Sequence, residues 1–314
     1  MTLRKILTAG VAMATMAAVP SLAQDTYPTH PVIAIVPFPA GGATDNMARA
    51  AARELTDILG VNVPVQNIGG RAATIATAQL ARSKPDGYTI GILGAAPLIV
   101  QPHMRKTVYS IEDFTYICQL FSSPHALVIK PDSPFKSLKD VVDYAAAHPG
   151  ELSYGTPGPG TLPHLAMEAF LKETGVNIKH VPFQGDGPGV TALLGGHVDL
   201  YMGLMSVVLQ NDLKSVAVFA DERVESLPDV PTSVEQGFTT VALWWGGMFG
   251  PKDMPDEVNA KLETACEAVA KNDRYKETLH KLGTSVVYKN GATVKKMVEE
   301  SSAANAEILK TISK

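Results

Sequence analysis

The chain has 314 residues, of which 46% are apolar, and a formal net charge of −4. This slightly acidic balance, without long runs of one sign, gives no support for nucleic-acid binding. A chain of this length and apolar content can bury a large core, and it usually forms two domains rather than one.

The N-terminus predicts export. Arg4 and Lys5 precede an apolar stretch at residues 6–19, and Ser21 and Ala23 place small residues where a signal peptidase reads. We therefore expect a secretory signal peptide at residues 1–23 and a periplasmic mature protein. The apolar stretch is too short to span a membrane, and no later segment is long and apolar enough to do so.

Strand-like and helix-like runs then alternate along the chain, which predicts an α/β fold with parallel sheets covered by helices. The predicted strands lie at residues 32–36, 61–66, 88–93 and 125–130. The predicted helices lie at residues 45–59, 74–83 and 138–147, the last with Ser137 as its N-cap. The alternation continues to about Leu213, and three helix-like runs around Val258, Arg274 and Val294 end the chain.

Three of these units pass from a strand through a Gly/Pro-rich turn into a helix. They are VIAIVPFPAGGATDNMAR at residues 32–49, LSYGTPGPGTLPHLAMEAF at 152–170 and HVPFQGDGPGVTALL at 180–194. Glycines allow close approach, and the free N–H groups of a first helical turn favour a negative group. One such unit is ordinary in any α/β protein, but three together favour a small carboxylate ligand.

Cys118 and Cys266 are the chain's two cysteines. Because the first lies far beyond the cleavage site, a lipid anchor at the new N-terminus is excluded. An oxidising compartment permits a disulfide between them. We expect two buried thiols instead, since Cys266 lies in the middle of a predicted helix, where a small packed side chain is common.

Motifs for catalysis are missing. The eight histidines have no metal-ligand spacing, and the chain has no P-loop, no G-x-S-x-G elbow and no dinucleotide fingerprint after a strand. Asp45 and Asp186 lie in Gly-rich turns, where an Asp typically caps helix N–H groups. Alternatively, either could serve an exported hydrolase together with a histidine such as His164. If both faced the ligand, they would bind an amino group or position a water.

Five sequence blocks, in order and spacing, resemble the periplasmic solute-binding proteins of tripartite tricarboxylate transporters, the Bug family. The resemblance runs from about Tyr27 to the C-terminus, and its blocks are YPTHPVIAIVPFPAGGATDNMAR, KPDGYTI, AAAHPGELSYGTPGPGTLPHLAME, HVPFQGDGPGVTALLGGHVDL and SLPDVPTSVEQG. It implies a type II periplasmic-binding-protein fold, in which two α/β lobes joined by a two-crossing hinge close on a ligand in the cleft between them. The implied lobes are residues 24–123 plus 223–314, and residues 124–222.

The family typically grips one ligand carboxylate with backbone N–H groups and ordered waters of the first-lobe loop. By resemblance, the ligand loops are residues 38–45 in the first lobe and residues 156–161 and 184–188 in the second. The expected ligand-binding residues are Phe38, Ala40, Gly41, Gly42, Ala43, Asp45, Arg71, Ala95, Thr156, Gly158, Gly160, Thr161, His164, Gln184, Gly185, Asp186 and Gly203.

The chain departs from the family pattern at three places. Where the family usually has Asn-Arg-Pro-Gly-Ala-Gly-Gly, this chain has NIGGRAA at residues 67–73, so Arg71 is either a relocated cation for a second carboxylate or a solvent-facing residue. A loop that commonly carries Ser or Thr is here Gly-Ala-Ala-Pro at residues 94–97. Phe219, the Met-rich residues 202–205 and the Trp244–Trp245 pair suggest an apolar cleft, although core tryptophans are the commoner case.

The leading hypothesis is a solute-binding protein that captures a dicarboxylate or an aromatic acid and delivers it to a tripartite tricarboxylate transporter permease. It implies a monomer without catalytic residues, metal or cofactor. Its partners are a small carboxylate and the membrane subunits of the permease, with no nucleic acid. The alternatives are the exported hydrolase and a ligand-sensing partner of a membrane sensor kinase.

Overall fold

The computed structural model describes residues 27–38, 40–41, 43–183, 185–211 and 213–312, so the predicted signal peptide lies outside it. The strands of this part, β1 to β10, are Ile33–Val36, Val65–Asn67, Thr89–Gly94, Phe114–Ile129, Ser153–Thr156, Lys179–Pro182, Leu200–Leu204, Lys214–Val218, Leu243–Pro251 and Ser285–Asn290. Its α-helices, α1 to α11, are Ala43–Leu59, Thr74–Ala81, Ala96–Ile99, Gln101–Met104, Leu138–Ala147, Leu162–Thr174, Asp186–Leu194, Met205–Asn211, Asp256–Lys271, Asp273–Lys281 and Gly291–Ile312. Within these ranges, no helix has the length and apolarity needed to cross a membrane.

Helix α5 begins and ends where the sequence predicts. The Ser137 hydroxyl accepts a hydrogen bond from the Asp140 N–H at 3.1 Å, and the Asp140 carboxylate accepts one from the Ser137 N–H at 3.1 Å. This reciprocal capping box satisfies N–H groups that have no partner inside the helix. The predicted N-cap is therefore confirmed.

The long strand β4 organises the whole sheet. The path of hydrogen-bonded strands is β2-β1-β3-β9-β4-β7-β5-β6, and β8 and β10 also pair with β4. The N-terminal part of β4 pairs with β9 and β10, and its C-terminal part pairs with β7 and β8, all antiparallel. The expectation of purely parallel sheets is therefore wrong, because antiparallel β9 and β4 join the two parallel sets.

We call the structure built on β1, β2, β3, β9 and β10 the first lobe, and that on β5 to β8 the second lobe. In the first lobe, one face of the sheet packs against α1, α9 and α10, and the other against α2, α3 and α11. In the second, the faces pack against α5 and α6 and against α7 and α8. This two-lobed α/β architecture is the predicted fold class.

The exact lobe boundaries remain predictions. Residues 224–242 follow the predicted boundary at residue 222, yet several of them pack on the second lobe. Phe238 and Ala242 contact the core between the second-lobe sheet and α6, and the Gln236 side-chain amide donates to the Val216 carbonyl at 3.0 Å. This segment therefore belongs to the connection that leads from β8 of the second lobe to β9 of the first.

Cys118 and Cys266 form a disulfide between β4 and α9, with a Cα–Cα distance of 6.5 Å. The expectation of two free thiols is wrong. Both residues are fully buried in the same core cluster. The position of Cys266 inside a helix is no obstacle, because that face of α9 packs directly on β4.

Candidate ligand-binding cleft

Strand β4 runs through both lobes and places the carboxyl ends of their parallel strands opposite each other. Gly94 at the carboxyl end of β3 is level with Gly246 of β9, which is level with Phe121 of β4. Leu204 at the carboxyl end of β7 is level with His125, four residues further along β4. At about 3.3 Å per residue, the two carboxyl ends approach each other from opposite directions to within roughly 13 Å along β4.

The remaining glycine-rich loops lie at the same two edges. β1 and β2 run parallel to β3, and β5 and β6 run parallel to β7. The loops after β1, β2 and β3 therefore face those after β5, β6 and β7, which is where open α/β sheets bind ligands. The three turns predicted from sequence all lie at these facing edges. Among the predicted site residues, Gly42 and Gln184 lie outside the described residues, and Ala43 is the first residue of α1.

Asp45 holds the first-lobe loop together. Its buried carboxylate accepts hydrogen bonds from the Gly41 N–H at 2.8 Å, the Arg49 Nε at 2.9 Å and the Asn67 side-chain amide at 2.7 Å. Burial acts to raise the pKa of Asp45, but these bonds together lower it below its usual range. Asp45 is thus an ionised anchor whose partners come from its own lobe.

The loop that Asp45 anchors is open to solvent. Phe38 is 40% exposed, Ala40 and Gly41 are also exposed, and the Asn67 amide donates to the Phe38 carbonyl at 2.9 Å. Gly41 has a φ of 87°, which favours glycine, and nothing lies within 4 Å of where its Cβ would be. This backbone is accessible to a ligand at the N-terminal end of α1.

Arg71 is exposed in the loop between β2 and α2. It lines a surface groove of about 690 Å³ along α2, together with Arg82, Arg105 and Lys106. Its guanidinium makes no ion pair within the described chain. Arg71, Ala72 and Ala73 have φ values of 47°, 51° and 72°, in the left-handed region. This geometry matches a solvent-facing loop residue, and the proposed contact with a second carboxylate remains a prediction.

The loop after β3 offers little of its own to a ligand. Ala95 is fully buried, and its N–H donates to the Trp245 carbonyl at 2.9 Å. Trp245 is also a core residue, 4% exposed, as the commoner case predicts. Trp244 faces the other way: it is half-buried against Phe121, and a Cβ on Gly94 would lie 2.9 Å from its Nε1. Trp244 is therefore the aromatic residue at the carboxyl end of β3.

Most of the predicted apolar wall lies in the core. Phe219, Met202 and Met205 are at most 2% exposed, and Gly203 is buried in β7 beside the Tyr201 ring. These side chains fill the second lobe. The argument for a strongly apolar cleft consequently rests on Trp244.

A stack of polar residues supports the second-lobe loop. The Gly160 N–H donates to His164 Nδ1 at 3.0 Å, which leaves the His164 proton on Nε2, 3.5 Å from a Glu168 oxygen. The His164 and His180 rings stack with centroids 4.1 Å apart, and His180 Nε2 lies 2.8 Å from the Thr156 hydroxyl. Burial and the neighbouring His164 lower the pKa of His180 to about 4.

The rest of this loop is also internally bonded. The Thr161 hydroxyl donates to the Gly158 carbonyl at 2.7 Å, and a Cβ on Gly160 would collide with Met104 of the first lobe. Sequence reasoning missed Glu168 and His180. The signal for Glu168 was its position four residues after His164, on the same face of α6; no local signal marked His180.

Asp186 begins α7 and faces Tyr201. The Tyr201 hydroxyl donates to the Asp186 carboxylate at 2.8 Å, and burial raises the pKa of Asp186 despite this bond. Gly185 has a φ of 107°, and its N–H donates to the Pro157 carbonyl at 3.2 Å, which ties the two second-lobe loops together. Within the described residues, Asp45, Asp186 and His164 each bond to other partners and not to one another.

Comparison with known proteins shows which family the chain belongs to. A family model described as "Tripartite tricarboxylate transporter family receptor" matches residues 47–313. The chain belongs to this receptor family. A UPF0065 protein of Bordetella pertussis is 34% identical over 90% of this chain and 88% of its own length. Protein BugT of the same organism is 36% identical over 79% of each chain.

Solved members of the receptor family share the fold. A TctC solute-binding protein from Polaromonas has a TM-score of 0.81 at 29% identity and covers 91% of this chain and 100% of its own. A Rhodopseudomonas palustris protein solved with adipate has a TM-score of 0.76 at 28% identity, covering 91% and 98%. MatC of R. palustris, solved with bound malate, has a TM-score of 0.74 at 27% identity, covering 90% and 99%. The family is one of solute-binding receptors and not of enzymes.

Proposed function

We propose that this chain is a periplasmic, monomeric receptor that traps a small dicarboxylate between its two lobes and delivers it to a tripartite tricarboxylate transporter permease. The observation that carries the proposal is the pair of glycine-rich loop sets at the facing carboxyl ends of β3 and β7. Adipate and malate, found in two relatives, are both dicarboxylates. The sensing alternative stays a prediction.

The first-lobe loop supplies the primary anion contact in this proposal. Gly41 is exposed at the start of α1, where the N–H groups of the first helical turn and the helix dipole attract a carboxylate. The N–H of Gly41 itself is already bonded to Asp45. The charge of Asp45 does not oppose this, because Arg49 neutralises it from within the lobe. A few charge-assisted hydrogen bonds of about 1.5–3 kcal/mol each account for micromolar affinity.

The second-lobe loops close on the distal end of the ligand. Their backbone is held by His164, Thr156 and Pro157, so it is ordered before the ligand arrives. A pre-ordered loop loses less entropy on binding. Contacts in both lobes give the ligand a higher affinity for the closed form, which drives closure.

A thermal-shift screen of residues 24–314 tests the ligand class, since a ligand of the native state raises the melting temperature. The probes are malate, adipate, citrate, benzoate and arabinose. We expect malate or adipate to raise the melting temperature most and arabinose to leave it unchanged. Stabilisation by arabinose without any acid would overturn the proposal.

The variant Arg71→Ala tests whether Arg71 contacts the second carboxylate of the ligand. If Arg71 reaches a second carboxylate, the variant loses affinity for dicarboxylates and keeps its affinity for benzoate. The matched control is Arg53→Ala, an exposed arginine on α1. Equal losses for both acid classes would remove Arg71 from the site.

A further inference from the structure

The surface groove of about 690 Å³ along α2 has two walls. One wall is the face of α2 that carries Ile75, Ala78 and Arg82, which are three or four residues apart and therefore neighbours on the helix. The other wall is the segment at residues 105–109. From Thr74 to Arg82 the helical wall is about 12 Å long, at 1.5 Å per residue. This is the length of roughly four residues of extended chain.

The groove is positively charged, although the chain as a whole has a formal net charge of −4. Arg71, Arg82, Arg105 and Lys106 line it, and none of the described acidic residues does. The charged groups of these four residues make no ion pair or hydrogen bond within the described part of the chain. Residues 58–111 contain five Lys or Arg and one Asp. Cations that are concentrated in one concave surface attract an anionic partner.

Exposed apolar side chains lie beside these cations. Ile75 is 45% exposed and Val108 is 64% exposed. Exposed apolar surface with a polar rim is typical of protein-binding sites. A small anion would leave both side chains uncovered, whereas a peptide with acidic and apolar residues covers them and pairs with the cations. A flat lipid surface fits a groove less well than a chain that enters it.

We propose that this groove binds an extended acidic segment of a protein partner. Carboxylates of the segment pair with Arg82, Arg105 and Lys106, and its apolar residues pack on Ile75 and Val108. Extended peptides are commonly recognised in this way, with side chains held in a surface groove.

The groove adjoins a place where the two lobes meet. Met104 ends α4, and its Sδ lies 2.0 Å from where a Cβ on Gly160 of the second lobe would be. Arg105 follows Met104 directly and lines the groove. A partner bound through Arg105 therefore contacts the segment that touches the second lobe. A permease that receives ligand from this chain is such a partner. That identity rests on the proposed function, whereas the preference for an acidic segment rests on the groove alone.

Two synthetic peptides test the charge preference. The probe is acetyl-Glu-Val-Glu-Leu-Glu-amide, and its control is acetyl-Lys-Val-Lys-Leu-Lys-amide, which has the same length and apolar residues but the opposite charge. Calorimetric titration of residues 24–314 at low ionic strength should show saturable binding of the acidic peptide alone. Added salt should weaken this binding, since it screens exposed charges. Equal binding of both peptides, or of neither, would overturn the proposal.

Substitutions in the groove test the location. A groove variant that combines Arg82→Gln, Arg105→Gln and Lys106→Gln removes three charges and keeps polar side chains. Its affinity for the acidic peptide should be at least roughly tenfold lower. Val108→Glu adds a carboxylate at one exposed position of the groove and should also weaken binding, by like-charge repulsion. Arg71 is left unaltered, because its role in dicarboxylate binding is tested separately.

A control variant removes the same charge elsewhere. It combines substitutions at three exposed cations outside the groove, Arg53→Gln, Lys179→Gln and Lys252→Gln. This variant should keep the affinity of the wild type for the acidic peptide. An equal loss in the groove variant and the control variant would show attraction by net charge only and would overturn the proposal.

Two further measurements separate this proposal from its alternatives. Malate or adipate should raise the melting temperature of the groove variant as it does for the wild type, since none of its substitutions lies in a ligand loop. Dicarboxylate stabilisation without acidic-peptide binding would overturn the groove and leave the proposed function standing. Co-sedimentation of the wild type, but not of the groove variant, with phosphatidylglycerol vesicles, in the absence of peptide binding, would overturn the proposal in favour of a lipid surface.

Discussion

Ala72 is an exposed residue in a backbone conformation that suits glycine, with a φ of 51°. Left-handed backbone geometry destabilises the folded state by about 1–2 kcal/mol when the residue has a Cβ. Glycine avoids that cost, but it lowers stability by about 0.4–1 kcal/mol because it gives the unfolded chain more conformational freedom. Ala72→Gly should therefore raise the free energy of unfolding by about 0.5–1 kcal/mol.

Urea unfolding of the variant checks this value. Ala303→Gly, at an exposed position inside α11, is the control and should lower stability by about 1 kcal/mol. A destabilised Ala72→Gly variant would contradict the strain argument.

His125 makes stability depend on pH. Burial lowers its pKa from 6.5 to about 4, so the folded state stays neutral where the unfolded chain takes up a proton. The free energy of unfolding should therefore fall as the pH drops from about 6.5 to 4, by about 3 kcal/mol from this residue. His180 acts in the same direction.

Chemical denaturation at several pH values, comparing wild type with His125→Asn, isolates this contribution. The variant cannot titrate, so its stability should change less across that window. His197→Asn, at an exposed histidine, is the control. Identical pH profiles for wild type and His125→Asn would contradict the assignment.

At the scale of elements, sequence patterns predicted helices better than the strands at the centre of the sheet. Helix α5 matches residue for residue, because its capping box and its His148-Pro149 stop are local signals. Strand β4 begins at Phe114, eleven residues before the predicted start at His125, and Pro124 lies inside it. β9 and β10 were not predicted at all. Their pairing depends on partners more than a hundred residues away, which no local pattern reveals.

The glycines of β9 explain why this strand was not predicted from the sequence. A Cβ on Gly247 would collide with the Cys118 backbone, so the position needs glycine because two strands pack closely there. Glycine in a sequence ordinarily indicates a turn instead. The three Gly-rich turns after β1, β5 and β6, by contrast, were predicted from sequence, because glycine there marks a turn after a strand.

The variant Asp45→Ala tests whether the contacts of Asp45, at the start of α1, hold the loop after β1 in place. Asp45→Ala removes three hydrogen bonds and should lower the free energy of unfolding by about 2–3 kcal/mol. It should also lower the affinity for the dicarboxylate that raises the melting temperature, at least roughly tenfold, because the side chain that holds the first-lobe loop in place is lost. Denaturation and calorimetry measure both effects.

Asp57→Ala is the control for Asp45. Asp57 also pairs with an arginine, Arg274, but its side chain is 65% exposed, so its loss should cost within about 1 kcal/mol and leave affinity unchanged. Wild-type affinity in Asp45→Ala would mean that the loop's order does not matter for binding.

For the whole molecule, the disulfide joins positions 148 residues apart and fastens α9 to β4. Replacing Cys118 and Cys266 together by alanine should lower the free energy of unfolding by about 2–5 kcal/mol, because the unfolded chain gains freedom. Ligand affinity should be unchanged, since the bond lies in the first-lobe core. Urea unfolding and calorimetry would decide, and unaltered stability would contradict the prediction.

The central claim is that one ligand contacts loops of both lobes. Hydrogen–deuterium exchange of residues 24–314, with and without the stabilising dicarboxylate, measures this directly at backbone N–H groups. We predict slower exchange at residues 37–45 in the first lobe and at residues 157–161 and 183–187 in the second. Protection confined to one lobe, or absent from all three segments, would contradict capture between the facing loops.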